Sequence, residues 1–204
     1  MDAGKLLAGN RIIPVVVIDD VDTAVPLAEC LLEAGLKTIE VTLRTPAAVE
    51  AIDRIAREVP GMIVGAGSIR NSEQVDEVLR AGAMFGVAPG ATGRLLTAVD
   101  RAGLPFVPGA ATASEMMRNL QRGYRLQKFF PAEQSGGIDY LKAVGSPLPE
   151  VRFVPTGGID ADLARDYLAL PNVFAVGGSW VAPRKLVESR DFDAIGKLAA
   201  AAAV

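Results

Sequence analysis

The residue with the most evident chemical potential is Lys128, which lies in the apolar run Leu126-Gln-Lys-Phe-Phe130. Side chains alternate between the two faces of a β-strand, so Lys128 is predicted to share a face with Leu126 and Phe130. Burial on such a face disfavours the charged ammonium, and a neutral lysine amine can attack a carbonyl carbon to form a Schiff base. The structural alternative is a lysine that extends past the strand end to reach water.

A second set of polar residues is predicted on one face of the strand at Thr38–Leu43. Glu40, Thr42 and Arg44 alternate with apolar residues, so the three polar side chains point to the same side. Polar side chains on an inward face are unfavourable unless they contact one another or a ligand. They therefore form a ligand site, a buried Glu–Arg ion pair or the wet face of an edge strand.

The amino-acid composition limits the kinds of metal site and the kinds of partner that we expect. The chain has no histidine and one cysteine, Cys30, so neither imidazole nor thiolate metal sites are expected. A magnesium ion held by carboxylates is still compatible with the sequence. A net charge of −3 gives no basic patch for nucleic acid, and no apolar stretch is long enough to span a membrane. Because the N-terminus has no signal-peptide pattern, we expect a cytoplasmic protein.

The whole chain, residues 1–204, is predicted to fold as one α/β domain. β-rich runs alternate with helical runs, a pattern that indicates parallel strands. Eight such units favour a closed (β/α)8 TIM barrel over an open sheet. The predicted strands are Ile12–Ile18, Thr38–Leu43, Met62–Ser68, Met84–Ala88, Phe106–Ala110, Arg125–Phe130, Phe153–Thr156 and Val173–Gly177. The predicted helices are Val21–Ala34, Pro46–Glu58, Ser72–Ala81, Thr92–Arg101, Ser114–Gln121, Gly137–Val144, Ala161–Leu168 and Phe192–Ala203.

Two glycine pairs mark the ends of the last two predicted strands. Thr156-Gly-Gly158 follows the seventh strand, and Gly177-Gly-Ser179 follows the eighth. Glycine lets backbone amides approach an anion closely, and barrels often hold a substrate phosphate between the loops after these two strands. Tight turns also require glycine, so each turn by itself has a purely structural interpretation.

Five motifs, in order over nearly the whole chain, resemble those of the KDPG/KHG aldolase family. The motifs are Glu40-Val-Thr-Leu-Arg44, Gly65-Ala-Gly-Ser68, Lys128-Phe-Phe-Pro-Ala-Glu133, Pro155-Thr-Gly-Gly158 and Val176-Gly-Gly-Ser-Trp180. The resemblance implies a class I aldolase that needs no metal and no cofactor. It also implies a homotrimer of (β/α)8 barrels.

The resemblance assigns a role to individual residues. Lys128 corresponds to the Schiff-base lysine, Glu40 to the general acid/base and Arg44 to the arginine that holds the pyruvate carboxylate. Ser68 stands where one member of the family has threonine, and the missing methyl group bears on substrate preference more than on the reaction. Ser68, Pro89 and Phe130 would line the pyruvyl pocket. The contacts to the far-end hydroxyl and phosphate would come from Thr156, Gly157, Gly158, Gly178 and Ser179.

The implied reaction is the reversible cleavage of 2-dehydro-3-deoxy-6-phosphogluconate to pyruvate and glyceraldehyde 3-phosphate. Alternatives within the family are the galactonate epimer and the unphosphorylated 4-hydroxy-2-oxoglutarate. The fold class is also compatible with a phosphosugar isomerase or epimerase and with a non-catalytic phosphate-sensing barrel. An isomerase would make little use of an inward lysine, and the glycine turns favour a phosphorylated substrate. A phosphorylated keto-deoxy sugar acid is therefore the expected ligand.

Overall fold

The computed structural model of the chain describes residues 2–203. Parallel strands alternate with helices along these residues, which confirms the predicted α/β class. The strands are β1 (Ile12–Val16), β2 (Thr38–Thr42), β3 (Ile63–Gly67), β4 (Phe85–Val87), β5 (Phe106–Val107), β6 (Gly109–Ala110), β7 (Leu126–Phe129), β8 (Arg152–Pro155) and β9 (Val176–Gly178). The α-helices are α1 (Ala3–Leu6), α2 (Ala24–Glu33), α3 (Ala48–Glu58), α4 (Ser72–Arg80), α5 (Gly93–Ala102), α6 (Ala113–Gln121), α7 (Gly137–Gly145), α8 (Ala161–Leu168), α9 (Arg184–Glu188) and α10 (Phe192–Ala202), and short 3-10 helices cover Val21–Thr23 and Glu133–Ser135.

The strands are arranged in two parallel sheets. One sheet has the order β5-β4-β3-β2-β1-β9 and the other the order β6-β7-β8. Two isolated parallel bridges, Phe153 with Val173 and Thr156 with Gly177, connect the β8 segment to the β9 segment. Because neighbouring strands run parallel, the loops that follow their carboxyl ends meet on one side of each sheet. In residues 2–203, no helix is both long enough and apolar enough to cross a membrane.

The fifth predicted strand, Phe106–Ala110, is not continuous. It consists of β5 and β6, which are separated by Pro108. Proline has no amide hydrogen to donate to a neighbouring strand, so the hydrogen-bond ladder is interrupted there. β5 pairs with β4 and β6 pairs with β7, so this segment contributes one short strand to each sheet.

The two faces of the strands pack against different groups of residues. Ile39, Val41 and Phe129 belong to the large apolar cluster that also contains helix residues. Leu126 belongs to a smaller apolar cluster formed mainly by strand residues. Alternation along β7 therefore places Lys128 on the face of the smaller cluster, as the sequence pattern predicts.

Some predicted boundaries are confirmed and others are wrong. The predicted helix start at Ser72 is confirmed, and Asn71 and Thr92 accept hydrogen bonds from backbone amides of the first turn and cap α4 and α5. The predicted helix at Pro46–Glu58 starts two residues too early, because α3 begins at Ala48. The hydroxyl of Thr45, before this helix, donates to the carbonyl oxygen of Ile18, so it connects the segment after β2 to the loop after β1.

Further differences concern short elements. The eighth predicted strand starts three residues too early, because β9 begins at Val176 and Val173 forms only an isolated bridge. Helices α1 and α9 have no predicted counterpart. Helices of one turn are too short to show a hydrophobic period, so the pattern that identifies longer helices is absent from them.

Candidate active site

The centre of the site is an ion pair between β7 and β2. The Lys128 Nζ atom lies 3.2 Å from the Glu40 Oε1 atom, and the exposed fractions of the two side chains are 7% and 3%. Among the ion pairs within residues 2–203, it is the one in which both partners are buried. Removing two charges from water has a large free-energy cost, so a buried pair is weak evidence for stability. It is better evidence for a chemical role.

The surroundings of Lys128 are set by its strand neighbours. The Lys128 amide donates to the Pro108 carbonyl oxygen at 2.9 Å, and Lys128 is in register with Gly109 of β6. The Lys128 Nζ atom lies 5.5 Å from the centroid of the Phe130 ring, a distance typical of a cation–π contact. Lys128 and Phe130 are therefore on the same side, as the alternation predicts.

The Glu40 carboxylate occupies space that only glycine leaves free. Gly67 ends β3 beside Glu40, and a Cβ atom added to Gly67 would lie 2.7 Å from the Glu40 Cγ atom and 2.8 Å from its Cδ atom. Carbon atoms in proteins do not approach one another so closely without displacement. Gly67 thus lets the carboxylate lie against the β3 backbone, where it faces Lys128.

A cavity of about 430 Å³ lies at the carboxyl ends of β2, β3, β4 and β7. Four of the residues that line it, Arg44, Ser68, Pro89 and Phe130, are predicted pyruvyl-pocket residues, and the structure brings them together. The other two lining residues, Leu43 and Arg70, are not among the predicted site residues. Arg44 is exposed and lies two residues beyond the end of β2, so its guanidinium belongs to the rim of the cavity rather than to a buried ion pair.

Ser68 adopts a strained backbone conformation at the rim. Its φ angle is +60°, in the left-handed region that non-glycine residues rarely occupy. The next residue, Ile69, is fully buried, and its amide donates to the Val87 carbonyl oxygen at 3.1 Å. The chain therefore turns sharply at Ser68, which keeps the serine beside the cavity. Strain of this kind at a polar residue is frequent at functional sites.

The two predicted phosphate turns lie next to each other. Thr156 bridges to Gly177, and the Thr156 hydroxyl occupies the place where a Cβ atom of Gly177 would be. Gly157 and Gly158 have φ angles of +105° and +77°, so this turn requires glycine for its backbone conformation. Ser179, which follows β9, is exposed.

Gly178 is required for a different reason. A Cβ atom at this position would overlap the indole ring of Trp180, which folds back over the end of β9. The glycine therefore lets Trp180 cover the backbone beside Ser179.

A tyrosine–glutamate hydrogen bond supports the glycine turn after β8 and has no counterpart in the predicted site. The Tyr167 hydroxyl, on α8, donates to the Glu133 carboxylate. The Glu133 amide donates to the Gly157 carbonyl oxygen at 3.2 Å, and the Ala132 amide donates to the Thr156 carbonyl oxygen at 2.9 Å. Burial, reinforced by the hydrogen bond to Glu133, raises the pKa of Tyr167. The only sequence signal for this contact is that Glu133 ends the Lys128 motif.

The arrangement offers a nucleophile, a base and a cationic rim. In the part of the chain that the structure describes, no cluster of three or more histidine, cysteine, aspartate or glutamate residues could hold a metal ion. A carboxylate at 3.2 Å can exchange a proton with the Lys128 amine. The neutral amine can then add to a carbonyl carbon. Phe130, whose ring lies 5.5 Å from the Lys128 Nζ atom, borders the cavity, and Arg44 on the same cavity is suited to a carboxylate.

A parallel α/β protein with a shielded lysine–carboxylate pair at one end of its strands has the groups that imine-forming enzymes require. The sequence model of the family described as KDPG and KHG aldolase matches residues 4–198. The chain belongs to this family, which confirms the resemblance seen in the five motifs.

Individual relatives agree with the family. The 2-dehydro-3-deoxy-phosphogluconate aldolase of Pseudoalteromonas atlantica is 50% identical over 188 residues, which cover 92% of this chain and 87% of the relative. The KDPG aldolase of Legionella pneumophila, crystallised with pyruvate captured as a covalent carbinolamine intermediate, has a TM-score of 0.97 at 41% identity and covers 100% of this chain and 99% of its own. The Zymomonas mobilis ZM4 enzyme, solved with 3-phosphoglycerate, has a TM-score of 0.93 at 41% identity, with 100% and 95% coverage.

Proposed function

We propose that this protein is a class I aldolase that reversibly cleaves 2-dehydro-3-deoxy-6-phosphogluconate to pyruvate and glyceraldehyde 3-phosphate. The observation that carries the proposal is the 3.2 Å contact between the Lys128 Nζ atom and the Glu40 Oε1 atom in a buried position. The covalent pyruvate adduct in the Legionella pneumophila relative supports the same chemistry.

The first half of the reaction forms an imine. Glu40 takes a proton from the Lys128 ammonium, and the neutral amine attacks the C2 ketone to give a carbinolamine. Loss of water, with a proton returned to the departing hydroxyl group, leaves a protonated imine between Lys128 and C2. The positive nitrogen withdraws electrons from the C3–C4 bond, so this bond is weakened.

The second half breaks the carbon–carbon bond. Glu40 accepts the proton of the C4 hydroxyl group, directly or through a water molecule, and the C3–C4 electron pair moves into the enamine of pyruvate. Glyceraldehyde 3-phosphate leaves, a proton adds to C3, and water hydrolyses the imine to free pyruvate and Lys128. One carboxylate thus serves as base and then as acid on the same face of the substrate.

Substrate binding divides between two ends of the site. Arg44 binds both oxygens of the pyruvyl carboxylate with its planar guanidinium, and Ser68 lies beside it. Pro89 and Phe130 provide the apolar wall of the pyruvyl pocket. The far-end hydroxyl and phosphate groups contact Thr156, Gly157, Gly158, Gly178 and Ser179. The binding of 3-phosphoglycerate by the Zymomonas mobilis relative supports a site for a phosphorylated three-carbon unit.

We further propose that the chain is a single domain in which the strands close into a (β/α)8 barrel. On one side, the isolated bridges between the β8 and β9 segments support closure between the two sheets. On the other side, closure is supported because the chain passes at Pro108 directly from β5 in one sheet to β6 in the other. The homotrimer and the cytoplasmic location are proposals that rest on the family resemblance and on the sequence.

The test is reductive trapping of the pyruvate imine. We expect borohydride and pyruvate together to add a pyruvyl group to the protein, and peptide mass mapping to place it on Lys128. A Lys128→Met variant should show no adduct, and a Lys142→Met variant, changed at an exposed position on α7, should behave like the parent protein. An adduct on another lysine, or cleavage without any adduct, would contradict the proposal.

A second candidate substrate is 4-hydroxy-2-oxoglutarate, because the matching family description covers both aldolase activities. The phosphate turns favour the phosphorylated gluconate derivative. Values of kcat/KM for the two substrates and for the galactonate epimer, measured side by side, decide between them.

A further inference from the structure

We propose that Arg70 is a specificity-determining residue that binds the substrate carboxylate together with Arg44. The inference rests on the proposed function and extends it to a residue outside the five motifs. Arg70 lines the same cavity as Arg44 and Ser68. Its ligand would be the carboxylate of a 2-keto acid, the pyruvyl end of the aldol substrate.

The backbone at Arg70 is fixed, although its side chain is exposed. The Arg70 amide donates to the Gln74 Oε1 atom at 2.8 Å. Arg70 also lies between the fully buried Ile69 and Asn71, which is the N-cap of α4. The backbone on both sides is thus held by burial and hydrogen bonds, so the Arg70 side chain starts from a defined backbone position beside the cavity.

Arg44 and Arg70 follow neighbouring strand ends. β2 and β3 pair in parallel with Thr42 opposite Gly67, and the Leu43 amide continues the pairing by donating to the Gly67 carbonyl oxygen at 2.9 Å. Neighbouring strands are about 4.8 Å apart, so residues just beyond these ends are within reach of one ligand. Both residues line the same cavity.

The charges of the two arginines are not neutralised by neighbouring acids. Within residues 2–203, neither the Arg44 nor the Arg70 guanidinium forms an ion pair or a side-chain hydrogen bond. By contrast, Arg54, Arg184 and Arg190 each contact a carboxylate. Two like charges at one cavity repel each other, and an anion between them removes that repulsion. They also attract an anionic ligand to a protein whose net charge is −3.

A carboxylate fits this pair better than a phosphate does. The phosphate turns lie after β8 and β9, whereas Arg44 and Arg70 lie after β2 and β3. A substrate attached to Lys128 through C2 has its carboxylate carbon bonded to C2, and the Phe130 ring, 5.5 Å from the Lys128 Nζ atom, lines the cavity that Ser68 and the two arginines share. Arg44 would hold the carboxylate in a bidentate contact, and Arg70 would donate to an oxygen left partly exposed.

The test compares three variants by the pyruvate concentration that gives half-maximal borohydride trapping. Arg70→Gln removes the charge, and we expect this concentration to rise by roughly tenfold, the loss of one charged hydrogen bond. Arg70→Lys should recover part of the affinity. Arg101→Gln removes the same charge from an exposed position on the last turn of α5 and should not change it. The maximal extent of trapping should be equal in all of them.

The dependence on salt provides a second readout that a structural role would not change. The half-saturating pyruvate concentration of the parent protein should rise with ionic strength, and that of Arg70→Gln should rise less. If Arg70→Gln matches Arg101→Gln while Lys128 is still trapped, the inference is wrong and the proposed function stands. The inference is also wrong if Arg70→Gln weakens the binding of phosphorylated substrates alone. A parent protein without any pyruvate adduct overturns both.

Discussion

The Lys128 Nζ atom and the Glu40 Oε1 atom lie 3.2 Å apart, although 88 positions separate the two residues in the sequence. Both side chains are buried, so their polar atoms have each other as partners in place of bulk water. At this distance Glu40 can also receive the proton that Lys128 must lose before it attacks a ketone. The same contact therefore holds the resting state together and starts the reaction.

The first prediction concerns the charge of Glu40. Glu40→Gln keeps the size of the side chain but removes the proton acceptor. We expect imine formation with pyruvate to survive at reduced rate, and cleavage to fall by roughly 10²- to 10⁴-fold in kcat, the usual contribution of a positioned base. Stopped-flow trapping measures the imine, and a coupled assay for glyceraldehyde 3-phosphate measures cleavage.

Exchange of the pyruvate methyl hydrogens with deuterated water gives an independent readout of the same residue. The parent protein should exchange them through the enamine, and Glu40→Gln should exchange them far more slowly. A Glu40→Gln variant with unchanged cleavage and exchange would show that another group transfers the proton.

The second prediction uses the close contact between Gly67 and Glu40. In Gly67→Ala, the new methyl group would overlap the carboxylate and push it away from Lys128. A displacement of about 1 Å in a catalytic group can lower kcat by roughly 10²-fold. The matched control is Gly93→Ala, because within residues 2–203 no atom outside its chain neighbours and its own helical backbone lies within 4 Å of a Cβ atom at Gly93. The control should keep its kcat, and kcat is compared well below the unfolding temperature of either variant.

Sequence periodicity predicts the faces of the strands but not the distances between them. Alternation places Lys128 with Leu126, and Glu40 opposite Ile39, which the structure confirms. It cannot predict that β7 and β2 bring the two polar residues to 3.2 Å, because that contact depends on the register of strands far apart in sequence. The requirement for glycine at position 67 cannot be predicted from the sequence either, because Gly67 has the pattern of an ordinary turn residue.

Loops and strand interruptions were the least predictable parts. Arg70 lies between a strand and a helix cap, where no repeating pattern indicates which way a side chain points. The Thr45 hydroxyl has two competing partners, the amides of the next helix and the carbonyl oxygen of Ile18, and the tertiary contact prevails. Pro108 divides a strand that apolar content alone predicts to be continuous.

The third prediction tests the shape of the Arg44 side chain. Arg44→Lys keeps the positive charge and loses the planar fork that can contact both carboxylate oxygens. We expect KM for substrates with a pyruvyl carboxylate to rise by roughly tenfold, the loss of one charged hydrogen bond, with a smaller effect on kcat. Steady-state kinetics with the phosphorylated substrate measure both constants. An unchanged KM would exclude Arg44 from this role.

The fourth prediction concerns the hydroxyl of Ser179, which is exposed beside the phosphate turns. Ser179→Ala should raise KM for the phosphorylated substrate by roughly threefold to tenfold, the contribution of one hydrogen bond. It should leave 4-hydroxy-2-oxoglutarate cleavage unchanged, because that substrate has no phosphate. Ser146→Ala changes an exposed serine after α7 and serves as control. Equal effects of Ser179→Ala on both substrates would argue against a phosphate contact.

The fifth prediction separates positioning from stability at Tyr167. Tyr167→Phe removes the hydroxyl that donates to Glu133, which in turn holds the Gly157 carbonyl oxygen. We expect the free energy of unfolding to fall by about 1 kcal/mol, as for one hydrogen bond. We also expect KM for the phosphorylated substrate to rise several-fold, because the glycine turn loses its support. The matched control is Tyr124→Phe. In the parent protein the Tyr124 hydroxyl donates to the Asp100 carboxylate at 2.5 Å, and Tyr124 lies just before the start of β7.

The control should lose stability in the same way but keep its KM, since Tyr124 does not contact the phosphate turns.

The stability of both tyrosine contacts should depend on pH. Burial is the main cause that raises the pKa of both tyrosines, and the hydrogen bond to a carboxylate adds to it. Because the pKa of each tyrosine is higher in the folded protein than in the unfolded chain, its contribution to the free energy of unfolding is complete below the unfolded-state pKa of about 10. This contribution is lost as the pH rises above that pKa. Each variant should therefore lose less stability than the parent protein above that pH, measured by urea unfolding. If Tyr167→Phe changes only stability and Tyr124→Phe matches it in every assay, the hydrogen bond to Glu133 supports the fold and not the phosphate turn.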